Sequence, residues 1–149
     1  MPPEAAGGAP DGFAPHFRNS PLTDPWQPLY SRQQDGVVII GLRIREGHCN
    51  GRHFLHGGLI CALADNAMGL SVIETMRPRD NARAGQAFTV SLSLDFLASG
   101  KIGQWLEFVP RVLKVGGSIA FVDCTVLADS TPIARANATF QVRLADKPA

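Results

Sequence analysis

Three short segments around one apolar run could carry out chemistry: Asn50, His56-Gly57-Gly58 and Asp65. Asp65 lies in the middle of the run from Gly58 to Ile73, in which nearly every other residue is apolar. A carboxylate in such surroundings is seldom buried without a partner. Asp65 therefore requires either a structural partner or a function.

His56-Gly57-Gly58 lies where the chain enters this apolar run. The first amides of a helix have no internal acceptor, and the helix dipole adds positive potential there. Glycine allows a ligand to approach those amides closely. The segment predicts a site for an anion, or for an oxygen that becomes negative during a reaction. The two glycines could equally serve only to permit tight packing.

The elements that must position these residues follow from hydrophobic periodicity. Gly58–Ile73 is apolar on all faces and predicts a buried helix, which residues 77–85 terminate. Alternating residues predict five strands: Val37–Arg45, Ala87–Leu97, Gln104–Val115, Ser118–Ala128 and Ile133–Leu144. Pro110 indicates an edge or a bulge in the third of them.

One strand, one helix and four strands predict an α+β fold, with an antiparallel sheet wrapped around one long central helix. One sheet cannot cover a helix that is apolar on all faces. The side that carries Asp65 should therefore meet another chain, as in a two-fold dimer.

The domain boundaries follow from composition. Residues 1–16, rich in Pro, Gly and Ala, predict a disordered tail, and 17–145 a single domain. Residues 17–34 contain three prolines and predict an ordered loop with a short helical turn. This loop either lines a pocket or forms a strap over the core.

Composition limits the function classes. The 149 residues have a net charge of +1, so no strong nucleic-acid or membrane field is expected. The N-terminus lacks the pattern of a signal peptide, and the central run is predicted to be too short and too polar at its middle to span a bilayer. Three cysteines without a framework pattern predict reduced thiols and a cytoplasmic location.

The motif Asn50-x5-His56-Gly57-Gly58, with Asp65 in the helix and a sheet meander after it, resembles the hotdog-fold acyl-CoA thioesterases. The similarity is greatest to the phenylacetate-pathway (PaaI-like) branch and covers roughly residues 20–144. It implies hydrolysis of an aryl- or medium-chain acyl-CoA to free acid and CoA. CoA is part of the substrate, and no metal or other cofactor is implied. His53 stands where family members often have glycine.

The resemblance also implies roles for individual residues. The Gly57 N–H would polarise the thioester carbonyl, and Asp65 would act as general base or nucleophile. Asn50 would orient the water or the carbonyl, and His56 would be a positioning residue. Thr89 on the next strand would support the acid, although it lies on the polar side of its strand and could be an ordinary sheet residue.

The spacing of Gly57 and Asp65 bears on assembly. Eight residues along a helix span ~12 Å, whereas a base must come within ~3 Å of its reacting partner. Gly57 and Asp65 of one chain therefore cannot serve the same carbonyl. Antiparallel helices across a two-fold axis would bring Gly57 of one subunit to Asp65 of the other. We expect a homodimer with two shared sites, and a homotetramer built as a dimer of dimers.

Candidate substrate-binding residues surround the motif. Gly58 lies beside the predicted carbonyl-binding amide. Apolar side chains that could line an acyl pocket are Trp26, Tyr30, Phe54, Leu55 and Met68. Ser118, with Lys114 and Arg143, could contact a CoA phosphate or the pantetheine arm, or could simply be solvated surface.

Other functions are weaker fits. His48, Cys49, His53 and His56 match no common zinc spacing, and no Gly-x-Ser-x-Gly motif is present. Hotdog hydratases and dehydratases use an Asp/His or Glu/His pair that has no match here. Asp65 could instead be a structural carboxylate that hydrogen-bonds across the dimer to Asn66 or a hydroxyl. A non-catalytic acyl-CoA-binding module stays open.

Overall fold

One long helix is wrapped by a single antiparallel sheet. The computed structural model describes residues 8–77 and 85–143. Its elements are β1 (Ala14–Pro15), β2 (Tyr30–Gln34), β3 (Val37–Arg43), α1 (Gly57–Met76), β4 (Gln86–Phe96), β5 (Trp105–Val115), β6 (Ile119–Ala128) and β7 (Thr131–Arg143). The sheet order is β1-β2-β3-β5-β6-β7-β4. This architecture confirms the predicted α+β fold.

The helix begins and ends where the local sequence requires. His56 is its N-cap, and the chain leaves the helix at Arg77, which has an extended ψ of 121°. Pro78 follows, and the residue before a proline avoids helical geometry. With 20 residues, α1 is long and apolar enough to cross a membrane, contrary to expectation. The buried core helix of a globular domain satisfies the same criterion, and half of this stretch is buried here.

Most of α1 packs into the core, but one stripe stays partly open. The buried residues are Leu59, Ile60, Leu63, Ala64, Ala67, Met68, Leu70, Ser71 and Val72. The open stripe contains Gly58, Cys61, Ala62, Asp65, Asn66, Gly69 and Ile73, which are only partly buried or exposed. A single chain therefore leaves uncovered the helix face that carries the predicted acid.

The N-terminal region is more ordered than expected. Residues 8–16 were predicted to be a disordered tail, yet β1 pairs with β2. The Phe13 ring also packs edge-on against Trp105, with 5.1 Å between centroids. Residues 1–7 lie outside the described part of the chain. The expected helical turn is present at Asp24–Trp26 as a single 3-10 turn.

Strand β2 was not among the predicted strands. Its residues, Tyr30–Gln34, show no apolar alternation, because the strand lies near an edge of the sheet. The available signal was the dipeptide Asp35-Gly36, which is typical of a two-residue hairpin turn. Both residues have positive φ, 52° and 79°, as that turn requires.

Pro110 lies in a part of β5 that has only one neighbouring strand, which agrees with the edge position that a proline indicates. The pairing of β3 with β5 ends at Phe108, whereas Pro110 still pairs with Cys124 of β6. The missing N–H of proline therefore costs no ladder hydrogen bond. Val38 of β3 lies beyond the part of that strand that pairs with β5. Its N–H donates instead to the Ser71 hydroxyl of α1, at 3.0 Å.

Candidate active site

The start of α1 leaves one backbone amide open. His56 Nδ1 accepts a hydrogen bond from the Gly58 N–H at 2.8 Å, and the Ile60 N–H donates to the His56 carbonyl. No described residue accepts from the Gly57 N–H. Because α1 is 20 residues long, its dipole adds positive potential at this amide. Gly57 can therefore donate a hydrogen bond to an oxygen brought to the helix start.

Phe96 closes one side of this amide. A Cβ at position 57 would approach the Phe96 ring to 3.0 Å, and one at position 58 would approach the His56 ring to 2.8 Å. Both glycines are therefore also required for packing, so the structural and functional interpretations hold together. Phe96 was not among the predicted site residues, because its contact with Gly57 joins the far end of β4 to the helix start.

Asp65 lies on the open stripe of α1 and has a hydroxyl partner. The Thr89 Oγ1–H donates to Asp65 Oδ1 at 2.6 Å. A short bond to a carboxylate oxygen is typical of charge-assisted hydrogen bonds. No described residue contributes a second hydrogen bond to this carboxylate. One oxygen of Asp65 is thus held in place, and the other can accept a proton.

A β-bulge turns Thr89 towards the helix. Thr89 pairs with Phe140 and Ser91 with Thr139, so Val90 is the extra residue. Paired residues share a face of the sheet, and Phe140 is buried against the helix side. The expectation that Thr89 lies on the polar side of its strand is therefore wrong. The predicted contact with Asp65 is present because the bulge at Val90 turns Thr89 towards the helix, whereas strict alternation along the strand would turn it away.

Asn50 organises the loop that leads into the helix. Its Oδ1 accepts hydrogen bonds from the N–H groups of Arg52, at 2.9 Å, and Phe54, at 3.2 Å. His53 adopts a φ of +64°, in the left-handed region that favours glycine. This turn explains why glycine suits the position. The Asn50 oxygen is engaged within the loop, which leaves its Nδ2 amide as the group that could contact a ligand.

The structure separates the predicted pocket residues. Leu55 and Met68 are buried in the core cluster, Met68 completely, so they do not line an accessible pocket. Trp26 packs against the same core. Phe54 is partly exposed beside the helix start. Ser118, just before β6, is separated from β4 by β7, and it therefore does not adjoin Asp65 of its own chain.

The histidines near the motif have structural partners. His48 Nδ1 accepts from the Arg45 N–H at 3.1 Å, and its Nε2 lies 3.1 Å from the Trp26 carbonyl. Burial lowers the pKa of His48, so the neutral ring ties the loop at Trp26 to the loop before α1. Among the described residues, no three His, Cys, Asp or Glu side chains cluster as metal ligands would.

Comparisons with known sequences identify the family. The model of the thioesterase superfamily matches residues 53–134. PA0474 of Pseudomonas aeruginosa, a protein named as a candidate esterase, is 36% identical over 134 residues, which cover 89% of this chain and 96% of that protein. Acyl-coenzyme A thioesterase 13 of Homo sapiens is 32% identical over 106 residues, covering 70% and 71% respectively.

Solved structures agree with this assignment. A Streptococcus mutans protein solved with acetyl-CoA is 31% identical and superimposes with a TM-score of 0.66, over 75% of this chain and 85% of that one. The phenylacetic acid degradation protein PaaI of Thermus thermophilus is 20% identical and shares the fold, with a TM-score of 0.69 over 82% and 98%. The chain therefore belongs to the thioesterase superfamily and is a thioester hydrolase with the hotdog fold.

Proposed function

We propose that this protein hydrolyses aryl- or medium-chain acyl-CoA to the free acid and CoA, in sites shared between two subunits. The observation that carries the proposal is the 2.6 Å hydrogen bond from Thr89 to Asp65 on the open stripe of an otherwise apolar helix. It presents an oriented carboxylate at a surface that a second subunit could cover. The human relative named as an acyl-CoA thioesterase and the acetyl-CoA-bound S. mutans protein support the choice of substrate.

The surface around Asp65 supports the two-subunit arrangement. Strand β4 is an edge of the sheet, so it has no strand partner on one side. Large apolar side chains are exposed on it or directly after it: Phe88, Val90, Phe96 and Leu97. An exposed apolar edge of this length favours association with another chain. A two-fold partner would extend the sheet and cover the open stripe of α1.

The distance between Gly57 and Asp65 within one chain also requires a second subunit. Gly57 and Asp65 are eight residues apart in one helix, or ~12 Å, so one chain offers either the amide or the acid to a given carbonyl. In an antiparallel pair of helices, the N–H of Gly57 from one subunit would face Asp65 of the other. We further propose that two such dimers form a tetramer.

The proposed reaction uses these groups in order. Asp65, as general base, takes a proton from a water molecule whose oxygen attacks the thioester carbonyl carbon. The negative charge that forms on the carbonyl oxygen is stabilised by the Gly57 N–H of the second subunit. Collapse of the intermediate breaks the C–S bond, and the proton held by Asp65 passes to the departing thiolate. Direct attack by the carboxylate would form an acid anhydride, which water then hydrolyses.

Asn50 and His56 would act indirectly, by holding the elements that position the Gly57 amide: Asn50 holds the loop before α1, and His56 holds the first turn of α1. His56 caps α1 at Gly58 and so keeps the neighbouring Gly57 N–H free for substrate. Asn50 holds the preceding loop through two backbone amides. Both residues are proposed as positioning residues. The reaction needs only water and these protein groups, without a cofactor.

Release of free thiol from acyl-CoA tests the proposal. The purified protein is incubated with phenylacetyl-, benzoyl- and octanoyl-CoA, and CoA is followed with a thiol reagent. We expect turnover of at least one of these substrates. Tight binding without thiol release would overturn hydrolysis in favour of a binding module. Addition of water to an enoyl-CoA with the thioester intact would overturn it in favour of a hydratase.

Removing the Thr89 hydroxyl should slow the chemical step. In Thr89→Val the carboxylate loses its oriented partner, and hydrogen bonds to charged groups contribute about 1.5–3 kcal/mol. We expect kcat to fall by about 10-fold or more, with KM little changed. Thr89→Ser keeps the hydroxyl and should retain most of the activity. Equal kcat values for the two variants, at unchanged thermal stability, would exclude this role for Thr89.

A further inference from the structure

The Asn66 side chain has no hydrogen-bond partner among the described residues. Other polar side chains of α1 do have partners: Asp65 accepts from Thr89, and the hydroxyls of Ser71 and Thr75 donate to backbone carbonyls of the helix. Asn66 lies on the open stripe of α1 and is only partly buried. Asparagine is also a weak helix former, because its side chain competes for backbone groups. No contact within the described chain therefore accounts for a carboxamide at this position.

The His56 ring has one hydrogen-bond donor that is not used within the chain. Its Nδ1 accepts from the Gly58 N–H at 2.8 Å, so the neutral ring carries its proton on Nε2. No described residue accepts from this Nε2–H. The ring lies over Gly58, where a Cβ would approach it to 2.8 Å, and Gly58 belongs to the open stripe. The unused donor therefore lies on the helix face that the proposed partner subunit covers.

The register of the proposed dimer brings Asn66 to this donor. Antiparallel helices have the same rise per residue, so each step forward along one helix matches a step back along the other. If Gly57 faces the partner's Asp65, then His56 faces the partner's Asn66. Within one chain His56 and Asn66 are ten residues apart, or ~15 Å, so only the partner's carboxamide can reach the ring. The same register separates Asp65 from the partner's Asn66 by ~14 Å, which excludes a direct contact between those two side chains.

We propose that Asn66 is a positioning residue for the carbonyl-binding amide of the partner subunit, with its Oδ1 accepting the hydrogen bond from the partner's His56 Nε2–H. The inference rests on the proposed function, because it uses the shared-site dimer. The bond fixes the ring in the orientation that caps α1 at Gly58 and leaves the Gly57 N–H open to the thioester carbonyl. Because Asn66 directly follows Asp65, the subunit that supplies the acid also aligns the amide with which that acid works.

A double-mutant cycle tests the pair. Asn66→Ala, His56→Ala and the double variant are assayed by thiol release from an acyl-CoA that the wild type hydrolyses. We expect Asn66→Ala alone to lower kcat by about 3- to 10-fold, the effect of one neutral hydrogen bond, with KM within about twofold of wild type. In the His56→Ala background the same change should alter kcat by less than about twofold, because the bond is already absent. Asn66→Leu, which fills the space of the carboxamide, should reproduce Asn66→Ala.

The histidine ring gives a second readout that does not depend on turnover. In NMR spectra of protein with isotope-labelled histidine rings, the His56 Nε2–H should give a proton signal protected from exchange with water. Its absence from the His56→Ala spectrum assigns it. We expect the signal to exchange faster in Asn66→Ala and in Asn66→Leu, because the acceptor is gone. The spectra are compared at concentrations at which sedimentation shows each variant in the assembly state of the wild type.

Asn137→Ala is the matched control. It removes the same carboxamide from an exposed position on β7, and it should leave kcat, KM and the His56 signal unchanged. A loss of kcat from Asn66→Ala that is equal with and without His56, or an unchanged His56 signal in Asn66→Ala, would overturn the pairing while leaving the hydrolytic function intact. A wild-type protein that releases no thiol from any acyl-CoA would instead overturn the proposed function, and the NMR comparison would still test the pairing.

Discussion

Asp65→Asn should reduce kcat for acyl-CoA hydrolysis by about a hundred- to ten-thousand-fold, the range that a positioned general base contributes. Asparagine keeps the size of the side chain and can still accept a hydrogen bond from Thr89. It cannot take a proton from water, and it cannot form the anhydride of the nucleophilic route. The substitution therefore removes the chemistry while retaining the packing. Steady-state thiol release gives kcat, and binding of a non-hydrolysable acyl-CoA thioether should be retained.

Asp95→Asn is the control for loss of a carboxylate. Asp95 is exposed on β4 and pairs with Arg135 at 2.9 Å. The two variants change the net charge equally, and both positions lie on the surface of one chain. We expect Asp95→Asn to keep kcat within about twofold of wild type, since surface pairs contribute little. An Asp65→Asn protein with near-normal kcat would remove Asp65 from the mechanism.

Gly57→Pro should abolish the carbonyl-binding amide while keeping the helix. Proline is favoured at the first helical position, where its missing N–H has no intrahelical acceptor. His56 already has φ −70° and ψ 130°, which a residue before proline adopts readily. We expect kcat to fall by about a hundred- to a thousand-fold, as on removal of one oxyanion donor.

Gly57→Ala separates the lost donor from the added bulk. Its Cβ meets the same Phe96 ring at 3.0 Å, but the N–H remains. We expect it to be much more active than Gly57→Pro. Circular dichroism and thermal melts of both variants report whether α1 still forms. If Gly57→Ala and Gly57→Pro reduce kcat to the same extent, the Gly57 N–H does not stabilise the carbonyl oxygen.

Mixing the two inactive proteins tests whether the sites are shared. A dimer of one Asp65→Asn chain and one Gly57→Pro chain would contain one site with both defects and one site with neither. Random reassociation of equal amounts makes half of the dimers mixed, so about a quarter of the wild-type activity should return. Sites contained within single chains would give no recovery at any mixing ratio.

The central helix and its motif were predictable because they are local. The apolar run, the glycines at its start and the lone carboxylate are read from consecutive residues, and α1 begins at the predicted motif. The strands after it follow their alternation, and β4 to β7 match the predicted segments closely. The edge strand β2 was missed because it has no apolar period, although its Asp-Gly turn was a usable signal.

The prediction that Leu55 and Met68 line a pocket depended on composition alone, and both side chains are buried in the core. Apolar residues near a motif can line a cavity or fill the core, and sequence does not distinguish the two. Met68 lies in the same helix as Asp65, three residues away, yet it turns inwards and is completely buried. Phe17 and Arg18, in a segment predicted either to line a pocket or to form a strap over the core, line a cavity beside the end of α1.

The amino-acid sequence by itself determined the long apolar helix, the open amide at its start, and an acid too far along it to serve the same carbonyl. Those features follow from residue type and from the fixed rise of a helix. Only the tertiary structure decided that Thr89 meets Asp65, because one extra residue at Val90 reverses the alternation of β4. It also decided that Arg18 and Arg77 share a pocket, since residues so distant in sequence become neighbours only when the sheet closes around the helix.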